Sequence, residues 1–190
     1  MKIGARRAFV LCAVALAACA TVPTPTVKEA PIASNDVAFA LAGRMSARRG
    51  DNGVAGAFSW HHVPGHDEID LSTPLGQTLA QLQGDAQEAS VRLQDGRTES
   101  APTWKALTQQ AFGVTIPVEG LAYWVRAVPR AGAPYGVERD AAGRVSLLRQ
   151  DGWEIVYAYA DDASRLPSRV TLSYPGADPI EVRIVVDRRE

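Results

Sequence analysis

Large apolar residues occupy every second position in several short segments of this chain. The clearest examples are residues 39–47, 153–159 and 180–186, in which polar or small residues fill the positions between. A period of two is typical of a strand with one buried face. Shorter segments with the same pattern are separated by Gly, Asp, Asn or Pro, which favours an antiparallel meander of hairpins. These further strands are predicted at residues 54–61, 68–72, 78–83, 89–93, 144–149 and 168–173.

Two stretches in the middle of the chain follow a different spacing. Residues 102–112 and 117–128 carry apolar residues three and four positions apart, which predicts two amphipathic helices. We expect the first helix to begin through Ser100 and Pro102, and the second to end before Pro129. A long antiparallel sheet with two helices in the middle of the chain indicates the α+β class, with the sheet curled around helices that cover its concave face.

The N-terminus has the composition of a signal peptide. Lys2, Arg6 and Arg7 precede an apolar run from Ala8 to Ala18. A helix that spans a membrane needs about 20 apolar residues, so this run is too short to be a retained anchor. We therefore expect residues 1–18 to be removed.

The residues at the predicted cleavage site, Leu16-Ala-Ala-Cys19, resemble the lipobox of bacterial lipoproteins. The resemblance implies that Cys19 carries the acyl chains; the alternative is an ordinary secretory signal in which Cys19 is incidental. Residues 19–36 then form a lipidated N-terminus and a proline-rich tether, and residues 37–190 form one domain. Ala20 is not the aspartate that retains many lipoproteins at the inner membrane, so this resemblance implies the periplasmic face of the outer membrane.

Removal of the signal peptide also changes the charge of the chain. It takes away three basic residues and no acidic one, which moves the formal net charge from −1 to −4. No basic stripe is left to attract nucleic acid, so we expect no nucleic-acid partner.

The strongest candidate for catalysis or metal binding is the segment 61–68, which holds three histidines and two acids. Pro64 and Gly65 predict a hairpin turn, so His62 and His66 do not share a helical face as zinc ligands at this spacing do. We therefore interpret the segment as a solvated turn. No nucleophile motif, phosphate-binding loop or free cysteine is left in the mature chain, and we expect no catalytic residue, no metal and no cofactor.

The order of short motifs along residues 37–187 resembles the LolB family, which is the outer-membrane receptor for lipoproteins. The motifs are collinear with those of the family, although none is diagnostic alone. They are Gly43-Arg44, Phe58-Ser-Trp60, Ile69-Asp-Leu71-Ser-Thr-Pro-Leu-Gly76, Ile116-Pro-Val118 through Leu121 to Trp124, Gln150-Asp-Gly-Trp153 through Tyr157, and Leu166-Pro167.

The resemblance implies an unclosed antiparallel β-barrel with helices covering a hydrophobic cavity. It also implies a transfer function: a monomer accepts lipoproteins from the periplasmic carrier LolA, shields their acyl chains in the cavity and inserts them into the outer membrane. Leu75, in a predicted loop, matches a leucine that dips into the membrane in this family. A structural lipoprotein of an outer-membrane assembly and a lipid-anchored periplasmic enzyme remain as alternatives.

The cavity candidates are the large residues on the apolar faces of the predicted elements. A packed core has the same pattern, and periodicity does not distinguish the two. The candidates are Trp60, Leu71, Leu79, Trp104, Leu107, Phe112, Leu121, Trp124, Trp153, Ile155 and Tyr157.

Overall fold

The structure is a computed structural model, and it describes residues 35–189. The predicted signal peptide, Cys19, Ala20 and most of the predicted tether lie outside this range. Within it, the chain forms eleven strands and two helices. The strands are β1 (Phe39–Arg49), β2 (Asn52–Val63), β3 (His66–Ser72), β4 (Thr78–Gly84), β5 (Ala89–Leu93), β6 (Thr98–Ala101), β7 (Tyr135–Arg139), β8 (Val145–Gln150), β9 (Trp153–Ala158), β10 (Arg169–Tyr174) and β11 (Ile180–Arg189). The helices, between β6 and β7, are α1 (Trp104–Phe112) and α2 (Val118–Trp124).

All described strands belong to one antiparallel sheet in the order β6-β5-β4-β3-β2-β1-β11-β10-β9-β8-β7. Strands β6 and β7 are its two edges and do not pair with each other, so the barrel is unclosed. The long strand β1 lies in the centre, between β2 and β11. A bulge in β1 follows Ala42, where a Cβ on Gly43 would lie 2.0 Å from the Val185 carbonyl oxygen. Glycine therefore allows β1 and β11 to approach closely there.

The α+β class and the unclosed antiparallel sheet are confirmed, but neither edge strand was predicted from the sequence. β6 is four residues long and mostly polar, and β7 alternates over only five residues. An edge strand is paired along one side only, and short or polar edges are common in natural sheets. Neither segment therefore has the apolar pattern by which the central strands were found.

Helix α1 begins later than expected. Ser100 lies in β6, and the N-cap is Thr103, whose Oγ1 accepts a hydrogen bond from the Ala106 amide at 3.2 Å. The prediction of a start through Ser100 was wrong because the sheet extends to Ala101. The helix ends at Phe112 and is capped by Gly113, which has a φ of 71° and donates its amide to the Gln109 carbonyl.

Helix α2 is shorter than the predicted 117–128. It ends at Trp124, and Ala127 has a φ of 57°, which reverses the chain before Pro129. The apolar spacing continues past the end of the helix because Val125 is fully buried although it lies outside the helix. The periodicity records burial here rather than helical conformation. Among residues 35–189, no helix is long and apolar enough to cross a membrane.

The core lies between the apolar face of the sheet and the helices. Ile155, Leu172 and Val182 on neighbouring strands are each fully buried. Helix α1 packs on β5, β6 and β2, and it contacts α2. The helices therefore cover the face of the sheet on which the large apolar residues lie.

Candidate functional site

An apolar cavity lies between the sheet and the two helices. Strands β1 to β4 and β11 form its floor, and α1, α2 and the segment between them form its roof. The only polar residue in its wall is Thr108. The space inside is about 40 Å³, enough for about three groups of the size of a water molecule. The cavity is therefore narrow, and its surface is suited to hydrocarbon.

Four of the eleven sequence-predicted cavity residues line this space: Trp60, Leu71, Phe112 and Leu121. Leu79 is partly buried and lies against Gly56 of β2. The other six are buried in the core but do not border the cavity. They are Trp104, Leu107, Trp124, Trp153, Ile155 and Tyr157.

The remaining wall residues were missed by sequence reasoning. Strand pairing explains how they converge, since Phe58 pairs with Leu71, while Ile69 lies between Trp60 and Leu82. The available signal was alternation, because Phe58 is two positions from Trp60, and Ile69 two from Leu71. The residues missed are Met45, Val54, Phe58, Ile69, Leu82, Thr108, Ile116, Val118 and Ile184.

Thr108 joins the two parts of the roof. Its hydroxyl donates to the Trp104 carbonyl at 3.0 Å and accepts from the Ile116 amide at 2.8 Å. Both hydrogen-bonding roles of the hydroxyl are thus used inside the protein, so this threonine adds little polarity to the cavity. The same bonds fix the chain that leads from α1 to α2.

The buried side chain of Gln150, on β8, binds the C-terminal end of α2. Its Oε1 accepts from the Trp124 indole at 2.9 Å and from the Arg130 amide at 2.7 Å. Its Nε2 donates to the carbonyls of Arg130 and Ala133 at 2.9 and 3.3 Å. Gln150 therefore attaches both α2 and the loop after it to the sheet.

The His62 region is not the solvated turn expected from the sequence. Gly65 does form a turn, with a φ of 82°, but His62 is buried. His62 shares the inward face of β2 with Trp60, and its Nδ1 lies 2.8 Å from Asp67 Oδ1. The Trp60 indole donates to the same oxygen at 2.7 Å. The interpretation failed because the partner carboxylate lies across the hairpin, on β3. Among residues 35–189 no group of histidines, cysteines and acids is arranged to hold a metal ion.

Leu75 is at the tip of the loop between β3 and β4, and 91% of its surface is exposed. The loop is closed by hydrogen bonds from the Thr73 amide to the Gln77 carbonyl at 2.8 Å and from the Gly76 amide to the Thr73 carbonyl at 2.9 Å. Gly76 has a φ of 82°, which a glycine adopts without strain. An ordered turn therefore presents this leucine to solvent.

Comparison with known proteins places this architecture in a family. The family model described as outer membrane lipoprotein LolB matches residues 37–188. The outer-membrane lipoprotein LolB of an Azoarcus species is 39% identical over 177 residues, which cover 92% of this chain and 89% of the relative. The protein of the same name from Cupriavidus metallidurans is 37% identical over 198 residues, with 96% of each chain covered. That from Chromobacterium violaceum is 33% identical, with 92% of each chain covered. The chain therefore belongs to the LolB family: it is an outer-membrane lipoprotein that acts in lipoprotein localization, and it is not an enzyme.

Proposed function

We propose that this protein accepts lipoproteins from a LolA-type periplasmic carrier and holds their acyl chains in the cavity under α1 and α2 until they enter the outer membrane. The observation that supports the proposal is the apolar wall of that cavity in a chain of the LolB family. Each methylene group shielded from water contributes about 0.8 kcal/mol, so a dry cavity offsets the cost of taking an acyl chain out of the carrier.

The present width of the cavity requires the roof to move. A volume of about 40 Å³ is much smaller than an acyl chain, which has more than about ten methylene groups. Helix α2 is the part best suited to move, since it has seven residues and no side-chain hydrogen bond at its N-cap. A single turn or two of helix has little stability of its own. We therefore propose that α2 is a lid, and that its packing over the cavity is the closed position.

We propose that Cys19 carries the lipid and that Leu75 touches the outer membrane during release. Burial of one leucine contributes about 1.5 to 3 kcal/mol, which is enough for a reversible contact and too little for an anchor. Leu75→Glu should leave folding and uptake intact and slow the delivery of lipoprotein into liposomes. Leu166→Glu is the matched control, because Leu166 is also exposed but lies in another loop. If the two variants deliver lipoprotein at the same rate, Leu75 has no specific role in release.

The transfer itself can be tested with the Cys19→Ala protein in solution. A complex of carrier and lipoprotein is mixed with this protein, and a pull-down shows which of the two then holds the lipoprotein. We expect it to move to this protein, which we also expect to be a monomer by size-exclusion chromatography. If the lipoprotein stays on the carrier, the protein is better explained as a structural component of an outer-membrane assembly.

A further inference from the structure

The segment that leads into β1, residues 35–39, contacts both the lid and the cavity wall. We call it the root segment, since the chain before it leads to Cys19. The Asn35 carbonyl accepts a hydrogen bond from an Arg126 Nη at 3.0 Å. The Asp36 carboxylate lies 2.7 Å from His62 Nε2. The Phe39 ring stacks on the His62 ring, with centroids 4.7 Å apart.

His62 is held between two carboxylates. Asp36 lies at Nε2 and Asp67 at Nδ1, and only 3% of the histidine side chain is exposed. A carboxylate only accepts hydrogen bonds, so both contacts form together only when both ring nitrogens carry a proton. Burial lowers the pKa of His62, but hydrogen bonds to Asp67 and Asp36 and their negative charges outweigh it, and the net shift is upward from 6.5.

Arg126 connects the root segment to the lid. It lies two residues after the end of α2, and its Nε donates to the Ala122 carbonyl in that helix at 3.2 Å. Its guanidinium group lies over the rings of Phe39 and Tyr123, 5.9 and 5.8 Å from their centroids. Arg126 therefore contacts the lid helix and the root segment at once. A displacement of this end of α2 from the sheet would break its bond to Asn35.

The root segment is also connected to the cavity floor. His62 shares Asp67 with the Trp60 indole, and the Trp60 ring lines the cavity. The Phe39 ring contacts the Trp60 ring edge to face, with centroids 5.1 Å apart. The root segment therefore contacts both the roof of the cavity, at α2, and its floor, at Trp60. These are the two surfaces that an acyl chain would separate.

We infer that the root segment is a latch, which holds α2 over the cavity through Arg126 and is itself held closed by the proton on His62. The inference rests on the proposed function, because it assigns the latch to the entry of acyl chains. It also links the lid to the segment of chain that leads to the proposed lipid anchor. Gln150 holds the adjoining Trp124, and an Arg189 Nη donates to the Val125 carbonyl at 3.5 Å, so the latch is one of three polar attachments at this end of α2.

The charges around His62 determine how the latch responds to pH. Asp36 and Asp67 face it directly, Arg126 lies beyond Phe39, and Tyr123 is uncharged because burial and Asp36 raise its pKa. Neutral His62 can donate to only one carboxylate. Asp67 is the more buried of the two and is also held by Trp60, so the contact to Asp36 is the one lost. The latch is therefore closed when His62 is protonated and weakened as the pH rises through its pKa.

The test measures how fast a fluorescent fatty-acyl probe enters the full-length protein in detergent, at a series of pH values. In the wild type the entry rate should rise by about tenfold as His62 loses its proton, the size expected for one charge-assisted hydrogen bond. In Asp36→Ala, the probe should enter at the faster rate at every pH. Asp36→Asn should lose the pH dependence but remain slower than the alanine variant, because asparagine can donate to neutral His62 and accept from the charged form. His61→Gln is the matched control and should behave as the wild type, since its side chain is exposed on the opposite face of β2.

Amide hydrogen exchange provides a second measurement that does not depend on acyl binding. In Asp36→Ala and Arg126→Gln, exchange should become faster in both the root segment and α2. If exchange becomes faster in the root segment alone, while exchange in α2 and the entry rate of the probe are unchanged, the latch is overturned. The root segment then makes only local contacts with His62. If the wild type binds no acyl probe, the proposed function fails, and the exchange of α2 still decides whether the latch exists.

Discussion

Replacement of Leu71 by alanine should separate a cavity wall from an ordinary core position. Leu71 borders the cavity, whereas Leu172 is fully buried on β10 and does not. The same substitution at both positions removes three carbon atoms. We expect both variants to lose stability and only the Leu71 variant to gain affinity for an acyl chain.

The expected stability losses follow from the two environments. Loss of three buried carbons costs about 2.4 kcal/mol, and a new void adds about 1 to 2 kcal/mol. Leu172→Ala should therefore lower the free energy of unfolding by about 4 kcal/mol. Leu71 already borders empty space and has fewer packing contacts to lose, so Leu71→Ala should cost about 3 kcal/mol. Urea unfolding followed by tryptophan fluorescence measures both values.

The change in affinity has the opposite sign at Leu71. The space vacated there adds to a cavity of about 40 Å³, and an acyl chain can fill it with about two further methylene groups. At about 0.8 kcal/mol each, these tighten binding by roughly tenfold. Titration with a fluorescent acyl probe measures the dissociation constants. If Leu71→Ala and Leu172→Ala bind the probe equally well, this cavity is not the acyl site.

Three further changes test other parts of the argument. Gln150→Leu should lower the free energy of unfolding by about 3 kcal/mol, because it leaves the Trp124 indole and the Arg130 amide without their acceptor; a loss below about 1 kcal/mol in urea unfolding would mean that the loop finds other partners. The contribution of His62 to stability should be complete below pH 6.5 and be lost as the pH rises through its raised folded-state pKa, so the difference in unfolding free energy between wild type and His62→Gln should shrink toward alkaline pH, and a constant difference would contradict the assigned protonation. Cys19→Ala should release the protein from the membrane fraction, and continued tight association would exclude this cysteine as the anchor.

The central strands could be predicted from the sequence because each has one dry face. In β9 and β11, buried Trp153, Ile155 and Tyr157 and buried Ile180 and Val182 alternate with more exposed residues. What could not be predicted was decided by contacts between distant residues. The end of α2 at Trp124 is followed by a turn at Ala127, and the Trp124 indole donates to Gln150, 26 positions later. No local pattern in 117–128 records that bond.

The His62 cluster shows the same limit for the chemistry of side chains. Three nearby histidines beside a Pro-Gly turn are typical of a polar hairpin tip, and at His61 and His66 that description agrees with their exposure. His62 differs because it falls on the inward face of β2, where Asp67 and Asp36 lie within hydrogen-bond distance of its two ring nitrogens. Alternation alone would have placed it inside, two positions after Trp60. The partner at Asp36 could not be inferred, because it precedes the first strand and carries no periodic signal.

The cavity is the hardest feature to predict from sequence, and the reason is physical. A void differs from a packed core in the shapes of neighbouring side chains, not in their hydrophobicity, so Leu71 and Leu172 look alike along the chain. Close packing is the general state of protein interiors, and an empty space costs free energy in proportion to its volume. The space between Trp60, Leu71 and Leu121 therefore lowers the stability of the empty protein. Under the proposed function, an acyl chain that fills this space recovers that loss, so the same residues that destabilise the closed, empty state favour the loaded one.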